Sequence, residues 1–265
     1  MAELKLKVLG TRGSMAVDGA DYAEFGGATS CYMVSAGEET VFLDAGSGLT
    51  GAEVDFPNPP VILLSHLHLD HLLGLGMYPR LSKKGLTTRI YVPTEGEEDA
   101  ETVINRLYSP PFWPVSLKIY AGDVRIEPLR FPIRVGEIEI DGMEGSHPGG
   151  CVVMKLSYRK SSIVYMSDFE HGEEFPSSLT DFIDGASLLL YDGQYEEEEY
   201  LTKKGFGHST VNKGIELMET VKIPKMLIVH HDPASIDRVL SEREAAIGRA
   251  DVRFARQGEC ITLDA

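Results

Sequence analysis

The chain has 265 residues, of which 43% are hydrophobic, so it is long enough to bury a sizeable core. Its 25 basic and 41 acidic residues give a formal charge of −16, which disfavours a broad affinity for nucleic acid or for an anionic membrane surface. Three cysteines without paired spacing indicate neither a disulfide framework nor a thiolate zinc cluster. No apolar run approaches the roughly 20 residues needed to span a bilayer. We expect a cytoplasmic protein without a membrane partner.

Strands dominate the first part of the chain. The first eight residues alternate like a strand and lack the apolar core of a signal peptide. Glycine-containing turns separate the predicted strands, and the last of them is a continuous apolar run typical of a strand buried on both faces. These strands cover residues 4–9, 31–34, 40–44 and 61–64.

Helical spacing follows at residues 72–81 and 97–107, and residues 109–114 form an irregular segment that contains the only tryptophan. Several short strands are predicted within residues 119–140, and further strands at 152–156, 163–166, 187–191 and 226–229. The last predicted helices cover residues 211–220 and 236–247. Because no flexible linker divides the chain, we expect one domain over residues 1–265 with helices outside packed sheets.

The densest group of polar side chains directly follows the strand at 61–64. His66, His68, Asp70 and His71 lie within six residues and include three of the eight histidines. Four such groups packed together without a metal would leave charges and lone pairs unmatched. An extended backbone points His66 and His68 to one side, whereas Asp70 and His71 begin a turn and can face a second ion. The sequence therefore predicts a metal site, with one ion or two left open.

Other candidate ligands also follow apolar strands. His147 lies in a glycine-rich segment, Asp168 follows the strand at 163–166, and the adjacent His230 and His231 follow the strand at 226–229. Asp44 follows the strand at 40–44 in the same way. If these strands lie in packed sheets, their carboxyl ends can meet at one edge.

In this order, the residues resemble the metallo-β-lactamase-fold hydrolases, whose signature is His-x-His-x-Asp-His followed by a distant His, an Asp and a final His. The chain looks most like the phosphodiesterase branch, near the phosphoribosyl cyclic phosphodiesterase and ribonuclease Z groups. The segments that carry this likeness are residues 9–14, 26–31, 42–46, 110–114, 207–210 and 230–233. The resemblance implies an α/β fold: an αββα four-layer sandwich of two mixed β-sheets packed face to face with helices outside.

The resemblance also implies the metal ligands. One ion is held by His66, His68 and His147, the second by Asp70, His71 and His230, and Asp168 bridges both. Zinc is the metal expected first, with manganese or iron as alternatives, because imidazoles and carboxylates suit these metals. Asp70 is included among the catalytic residues. His231 is the alternative to His230, since adjacent strand-end side chains point in opposite directions.

The reaction class depends on His208. It stands before a predicted helix that begins near Ser209 or Thr210, where a Ser or Thr cap is expected. A solvent-facing histidine beside that cap is the ordinary alternative. The resemblance implies that His208 contacts phosphate and protonates or stabilises the leaving oxygen. Asp44 is expected to accept a hydrogen bond from a ligand histidine or simply to end a strand. His171 is expected at the surface or rim, and residues 191–195 near the pocket or in a plain turn.

The predicted function is a dinuclear metal-dependent hydrolase, a phosphodiesterase that attacks a small or cyclic phosphodiester through a metal-bridging hydroxide. Alternatives are an RNA-processing nuclease like ribonuclease Z, a hydrolase of non-phosphate esters, thioesters or lactams, and a metal-containing ligand sensor without turnover. Nucleic acid is the less favoured partner because of the charge. A homodimer is left open, since Phe112 and Trp113 suit a pocket wall, a dimer contact or ordinary core packing.

Overall fold

The structure is a computed structural model that describes residues 3–265, so Met1 and Ala2 of the predicted N-terminal strand lie outside the described residues. Most predicted strands are confirmed within a few residues of their expected bounds. The strands are β1 (Glu3–Gly10), β2 (Cys31–Ala36), β3 (Glu39–Leu43), β4 (Val61–Leu63), β5 (Thr87–Val92), β6 (Asp123–Pro128), β7 (Ile133–Val135), β8 (Ile138–Gly145), β9 (Cys151–Tyr158), β10 (Ser161–Met166), β11 (Leu188–Asp192), β12 (Met226–Val229), β13 (Val252–Phe254) and β14 (Cys260–Asp264). The helices are α1 (Ala100–Asn105), α2 (Ser177–Ile183), α3 (Glu197–Lys203), α4 (Val211–Val221) and α5 (Asp237–Ile247).

The strands form two mixed sheets of seven strands each. The first has the order β14-β1-β2-β3-β4-β5-β6 and the second the order β13-β12-β11-β10-β9-β8-β7. Each sheet has three antiparallel neighbour pairs at one side and three parallel pairs at the other. The two halves of the chain therefore share one strand plan, although the sequence shows no repeat.

Three apolar layers hold the sheets and helices together. Alternate residues of both sheets meet in a central layer, with Leu6 and Val34 from the first and Leu156 and Leu190 from the second. The outer face of the first sheet is covered by α1 and by short 3-10 turns, and that of the second by α2, α4 and α5. The predicted four-layer αββα arrangement is thereby confirmed. Among residues 3–265, no helix has both the length and the apolar character required to cross a membrane.

The predicted helix over residues 72–81 is wrong. This stretch consists of 3-10 turns at Leu69–His71, Leu75–Met77 and Pro79–Ser82. The amide of Gly74 donates to the carbonyl of Ala45 at 2.8 Å instead of to a carbonyl within a helix. A Cβ atom on Gly74 would lie 2.0 Å from the carbonyl oxygen of Gly46, so this close backbone contact requires glycine. Tertiary packing here replaces the regular helical hydrogen bonds.

The second early helix is shorter than predicted. It occupies Ala100–Asn105, and the Asp99 side chain caps it by accepting from the amide of Thr102. Trp113, in the irregular segment, packs against Gly76 and donates to the hydroxyl of Tyr120 at 3.0 Å, whereas Phe112 is 72% exposed. Trp113 is thus held by ordinary packing contacts, and its neighbour is left at the surface.

Candidate metal centre

The first group of candidate ligands joins the two sheets. His66 and His68 follow β4, and His147 comes from the loop between β8 and β9. One ring nitrogen from each lies within 4.8 Å of the other two, and His147 Nε2 is 3.1 Å from His68 Nδ1. His147 Nδ1 donates to the carbonyl of Gly207 at 2.9 Å, which leaves its Nε2 lone pair facing the group. The structure therefore brings these three predicted residues together.

The second group is more deeply buried and richer in negative charge. Asp70, His71, Asp168 and His230 each offer one atom within 4.8 Å of the others. His230 Nε2 is 3.2 Å from Asp70 Oδ2 and 3.1 Å from Asp168 Oδ1. His71 Nε2 is 3.1 Å from Asp168 Oδ2. Asp168 thus lies against ligands of the second group, while its Oδ1 is 3.8 Å from His66 Nε2 in the first.

Asp44 holds His71 in place from behind. It follows β3, is fully buried, and accepts from His71 Nδ1 at 2.7 Å. The amide of Ser65 and the hydroxyl of Tyr165 also donate to this carboxylate, at 2.6 and 2.5 Å. With Nδ1 engaged, His71 presents Nε2 to Asp70 and Asp168. This is the arrangement in which a carboxylate orients a ligand imidazole.

The donor set fits divalent metal ions. The Nε2 atoms of His66 and His71 are buried and have no hydrogen-bond partner among the described residues, although carboxylate oxygens lie close to His71 Nε2. Burial lowers the pKa of His66, which favours the neutral ring that binds metal. Burial also opposes protonation of His230, but Asp168 and Asp70 reverse its effect and raise the pKa of that ring to about 9. Such concentrated negative charge calls for cations, and imidazole with carboxylate suits zinc or manganese.

His208 lies at the edge of this centre, not in solvent. It is 8% exposed, and its Nδ1 donates to Asp192 Oδ2 at 2.8 Å. Its ring stacks on that of His230, with 4.7 Å between centroids and an interplanar angle of 21°. Thr210, two residues later, caps α4. The cap was predicted, and the alternative of a solvent-facing histidine is wrong because the Asp192 carboxylate draws the ring inward.

The structure separates the two adjacent histidines after β12. His230 enters the centre, and Gln194 Oε1 accepts from its Nδ1 at 2.9 Å. His231 points away and donates from Nε2 to the carbonyl of Ala255 at 2.8 Å. Burial among apolar groups lowers the pKa of His231 to about 3, so this ring is neutral in the folded protein. Only His230 is placed to bind a metal.

The expectation that His171 lies at the surface or rim is wrong. The residue is 8% exposed and its ring lies 4.2 Å from that of Tyr200. Its Nδ1 is 2.6 Å from the hydroxyl of Ser209, a side chain that sequence reasoning did not connect with it. Contacts between α3 and the segment before α4 bury the imidazole.

Three of the strand-end residues have a left-handed backbone. The φ angles of Asp44, Asp168 and His230 are 60°, 55° and 58°. Non-glycine residues rarely adopt this conformation, and aspartate, asparagine and histidine tolerate it best. The left-handed turn thus ends each strand at the residue whose side chain enters the site or supports it.

A groove of about 410 Å³ borders the centre at His66. It starts beside His66 and Gly149 and continues between the residues after β5, α1 and the end of β8. Its charged borders carry three carboxylates and one guanidinium, those of Glu95, Glu98, Glu144 and Arg106. The groove has room for a small organic group beside the centre and carries a net negative border.

Two supporting residues differ in how far the sequence could reveal them. Asp192 ends β11 and therefore follows the same strand-end pattern as Asp168, yet residues 191–195 suit a plain turn equally well. Glu170, which accepts from the amides of Gly205 and Gly207 at 2.6 and 2.8 Å, has no local signal at all. Its partners lie 35 and 37 residues further along the chain.

Comparisons with known proteins agree with this architecture. A family model described as the beta-lactamase superfamily domain matches residues 40–231. Mitochondrial ribonuclease Z 2 of Schizosaccharomyces pombe is 22% identical over an alignment 222 residues long, which covers 78% of this chain and 32% of that protein. The chain thus spans about a third of the length of this curated relative.

Solved structures share the fold at low sequence identity. The metallo-beta-lactamase fold protein YhfI from Bacillus subtilis has a TM-score of 0.72 at 19% identity, with 99% of this chain and 100% of that chain covered. A diphosphatase from the PhnP family has a TM-score of 0.74 at 17% identity, with 98% of both chains covered. The short form of human tRNase Z has a TM-score of 0.69 at 14% identity, covering 98% of this chain and 100% of that chain.

Proposed function

The chain belongs to the beta-lactamase superfamily, and we propose that it is a metal-dependent hydrolase that cleaves small phosphodiesters. The observation that carries the proposal is the pair formed by His208 and Asp192 at the edge of the candidate metal centre. A histidine backed by a carboxylate is suited to proton transfer, and this one lies beside the proposed ligand His230.

The geometry brings together three groups of candidate ligands, and the proposed ligands form two of them; the third, Asp168, Asp192, His208 and His230, overlaps the second. His66, His68 and His147 would hold one ion, and Asp70, His71 and His230 the other, with Asp168 between them. Divalent ions bound there supply Lewis acidity towards phosphoryl oxygens and lower the pKa of water. Zinc is the metal that we propose first, because three imidazoles form one group and two imidazoles with two carboxylates form the other.

His208 would serve the leaving oxygen. Because Asp192 accepts from Nδ1, Nε2 is the ring atom left to donate a proton to a departing alkoxide. The Asp192 carboxylate also fixes the direction of the ring. Asp192 in turn accepts from the backbone amide of Asp168 at 3.1 Å, so the pair is tied to the proposed bridging ligand.

The groove beside His66 favours a compact substrate. Its volume of about 410 Å³ suits a group of nucleoside size, and its borders carry a surplus of carboxylates. An RNA strand would bring further phosphates against this surface and against a chain with a formal charge of −16. We therefore propose a diester with one reacting phosphate and no polyanionic extension.

The test compares two leaving groups in a His208→Ala variant. With an alkoxide leaving group, as in a 2′,3′-cyclic nucleotide, turnover should fall by about 10² to 10⁴, since the proton donor is lost. With bis(p-nitrophenyl) phosphate, whose leaving group needs no proton, the loss should be smaller. Metal content should stay at the wild-type level. In Asp192→Asn, turnover of the cyclic nucleotide should likewise fall more than turnover of bis(p-nitrophenyl) phosphate. Equal turnover of wild type and His208→Ala on the cyclic nucleotide would contradict the assignment.

A second candidate is an RNA-processing nuclease, favoured by the sequence similarity to ribonuclease Z 2. The two candidates are separated by incubating the purified protein with a precursor tRNA and, in parallel, with the small diesters. Cleavage of the tRNA without turnover of small diesters would replace the first candidate with the second. Nitrocefin and an acyl thioester in the same panel test the lactam and thioester alternatives.

A further inference from the structure

Glu170 binds the segment that carries His208. Its two carboxylate oxygens accept separately from the backbone amides of Gly205 and Gly207, at 2.6 and 2.8 Å. The amide of Glu170 donates to the carbonyl of Ser146 at 2.8 Å, in the loop that carries His147. One residue thus connects three site-bearing segments, because Glu170 itself lies two residues after Asp168.

Gly207 passes this restraint to His147. Its carbonyl accepts from His147 Nδ1 at 2.9 Å, and its φ angle is +93°. A Cβ atom at this position would lie 2.0 Å from His147 Nδ1, so backbone and ring are in direct contact. Any shift of the segment around Gly207 must therefore move the imidazole that we propose as a metal ligand.

His171 holds the same segment on the other side of His208. Its Nδ1 is 2.6 Å from Ser209 Oγ, which is also 2.7 Å from the hydroxyl of Tyr191. Tyr200 lies over the His171 ring, and its hydroxyl donates to the carbonyl of His171 at 3.1 Å. The same hydroxyl is 3.4 Å from Glu170 Oε1. His208 is consequently held between two fixed neighbours: Glu170 binds Gly207, and His171 binds Ser209.

We propose that Glu170 and His171 are positioning residues that set both the ring of His147 for metal binding and the ring of His208 for the leaving oxygen. The part that concerns His208 rests on the proposed function. A charged carboxylate is suited to the task because both of its oxygens accept hydrogen bonds, and bonds to an ionised acceptor are roughly twice as strong as neutral ones. Glutamine offers only one such oxygen and turns its amide group towards the second backbone N–H.

The deciding experiment uses Glu170→Gln, with Glu174→Gln as the matched control, because Glu174 is an exposed carboxylate in the same loop. Competition with a chelator should show zinc affinity lowered about 10- to 100-fold in Glu170→Gln, as is usual when a residue that orients a ligand histidine is changed. His147→Ala provides the reference for complete loss of that ligand. Turnover of the cyclic nucleotide should fall more than turnover of bis(p-nitrophenyl) phosphate, because a displaced His208 affects only the poorer leaving group.

Wild-type zinc affinity together with a wild-type ratio of the two turnovers in Glu170→Gln would overturn the proposal. If near-UV circular dichroism shows that this variant does not fold, Tyr200→Phe gives the answer. It keeps the ring on His171 and removes only the hydroxyl. Zinc affinity and the ratio of cyclic-nucleotide turnover to bis(p-nitrophenyl) phosphate turnover should each fall about fivefold, the scale of one hydrogen bond. A Tyr200→Phe variant with wild-type zinc affinity and a wild-type turnover ratio would overturn the proposal as well.

The zinc measurement needs no substrate. If wild type hydrolyses no phosphodiester but Glu170→Gln still loses zinc, the proposed function fails while the positioning of His147 stands.

Discussion

The two sheets contribute to the candidate metal centre in different ways. The first sheet supplies four proposed ligands from one loop of six residues after β4. The second supplies His147, Asp168 and His230 from three separate loops. The first contribution is local in sequence. In the second, Asp168 and His230 meet because β10, β11 and β12 are parallel neighbours whose carboxyl ends share an edge. His147 joins them because β8 and β10 are both antiparallel to β9 and so run in the same direction. Local clusters identify a metal site, but topology decides which other residues complete it.

Neither contribution makes a complete ligand set. His66 and His68 need His147 as a third ligand, and Asp70 with His71 needs Asp168 and His230. Both sets are completed across the central apolar layer where the sheets meet. Metal affinity should consequently report on the packing of the sheets as well as on the ligands themselves.

The strongest test of this dependence is Asp168→Asn, in the second sheet. Its two oxygens lie against His71 and His230, so loss of the negative charge should weaken the proposed site more than any other single change. We expect turnover to fall by at least about 10³, since the transition-state stabilisation at stake is several kcal/mol. Zinc content by mass spectrometry and hydrolysis rates provide the measurement. Asp181→Asn, on the exposed face of α2, is the control. An Asp168→Asn variant with both ions and full activity would show that the second sheet does not complete the ligand set.

A smaller effect is expected from Asp44→Asn, in the first sheet. The variant keeps all proposed ligands but loses the carboxylate that accepts from His71 Nδ1. Zinc affinity should fall about 10- to 100-fold. Tyr165→Phe removes another donor to the same carboxylate and leaves the contact with His71, so its affinity should stay closer to wild type. An identical zinc affinity in Asp44→Asn and wild type would show that the first sheet holds His71 without this support.

The smallest effect on catalysis is expected from His231→Ala. This ring packs against Phe25 and Phe254 and donates to Ala255, outside the centre. The free energy of unfolding should drop by about 2 kcal/mol, for one lost buried hydrogen bond and the lost packing. Zinc content and turnover should stay near wild type. Denaturant titration and zinc analysis, run beside His230→Ala, check this, and loss of zinc in His231→Ala would reverse the assignment of the two histidines.

Much of the fold could be predicted from the sequence because the strands are apolar runs bounded by turns. The strand Met226–Val229 has the predicted bounds, and the four-layer arrangement follows from the family resemblance. The helix over residues 72–81 was wrong because helical periodicity cannot reveal that Gly74 packs against the backbone of Gly46. Helices α2 and α3 and strands β5, β13 and β14 were not predicted, since their stretches carry weaker patterns.

The candidate site was predictable in its ligands and less so in their supports. The cluster after β4 is visible as a motif, and the strand-end pattern points to His147, Asp168 and His230. The choice between His230 and His231 depends on the left-handed turn after β12, which no local pattern specifies. Glu170 and Gln194 act through contacts with residues at least 35 positions away, so only the folded chain reveals them. The roles of all these residues in binding metal stay a proposal, and the single-domain organisation stays a prediction.

The left-handed backbone at Asp44, Asp168 and His230 limits how this centre can be redesigned. Valine, isoleucine and threonine are disfavoured there whatever space surrounds the side chain, because their branched Cβ atoms clash in that conformation. Asparagine, aspartate, histidine and glycine are the residues that fit with least strain. A library intended to change the metal preference of the protein should therefore sample these four residues at the three strand ends and keep wider diversity for His66, His68 and the groove.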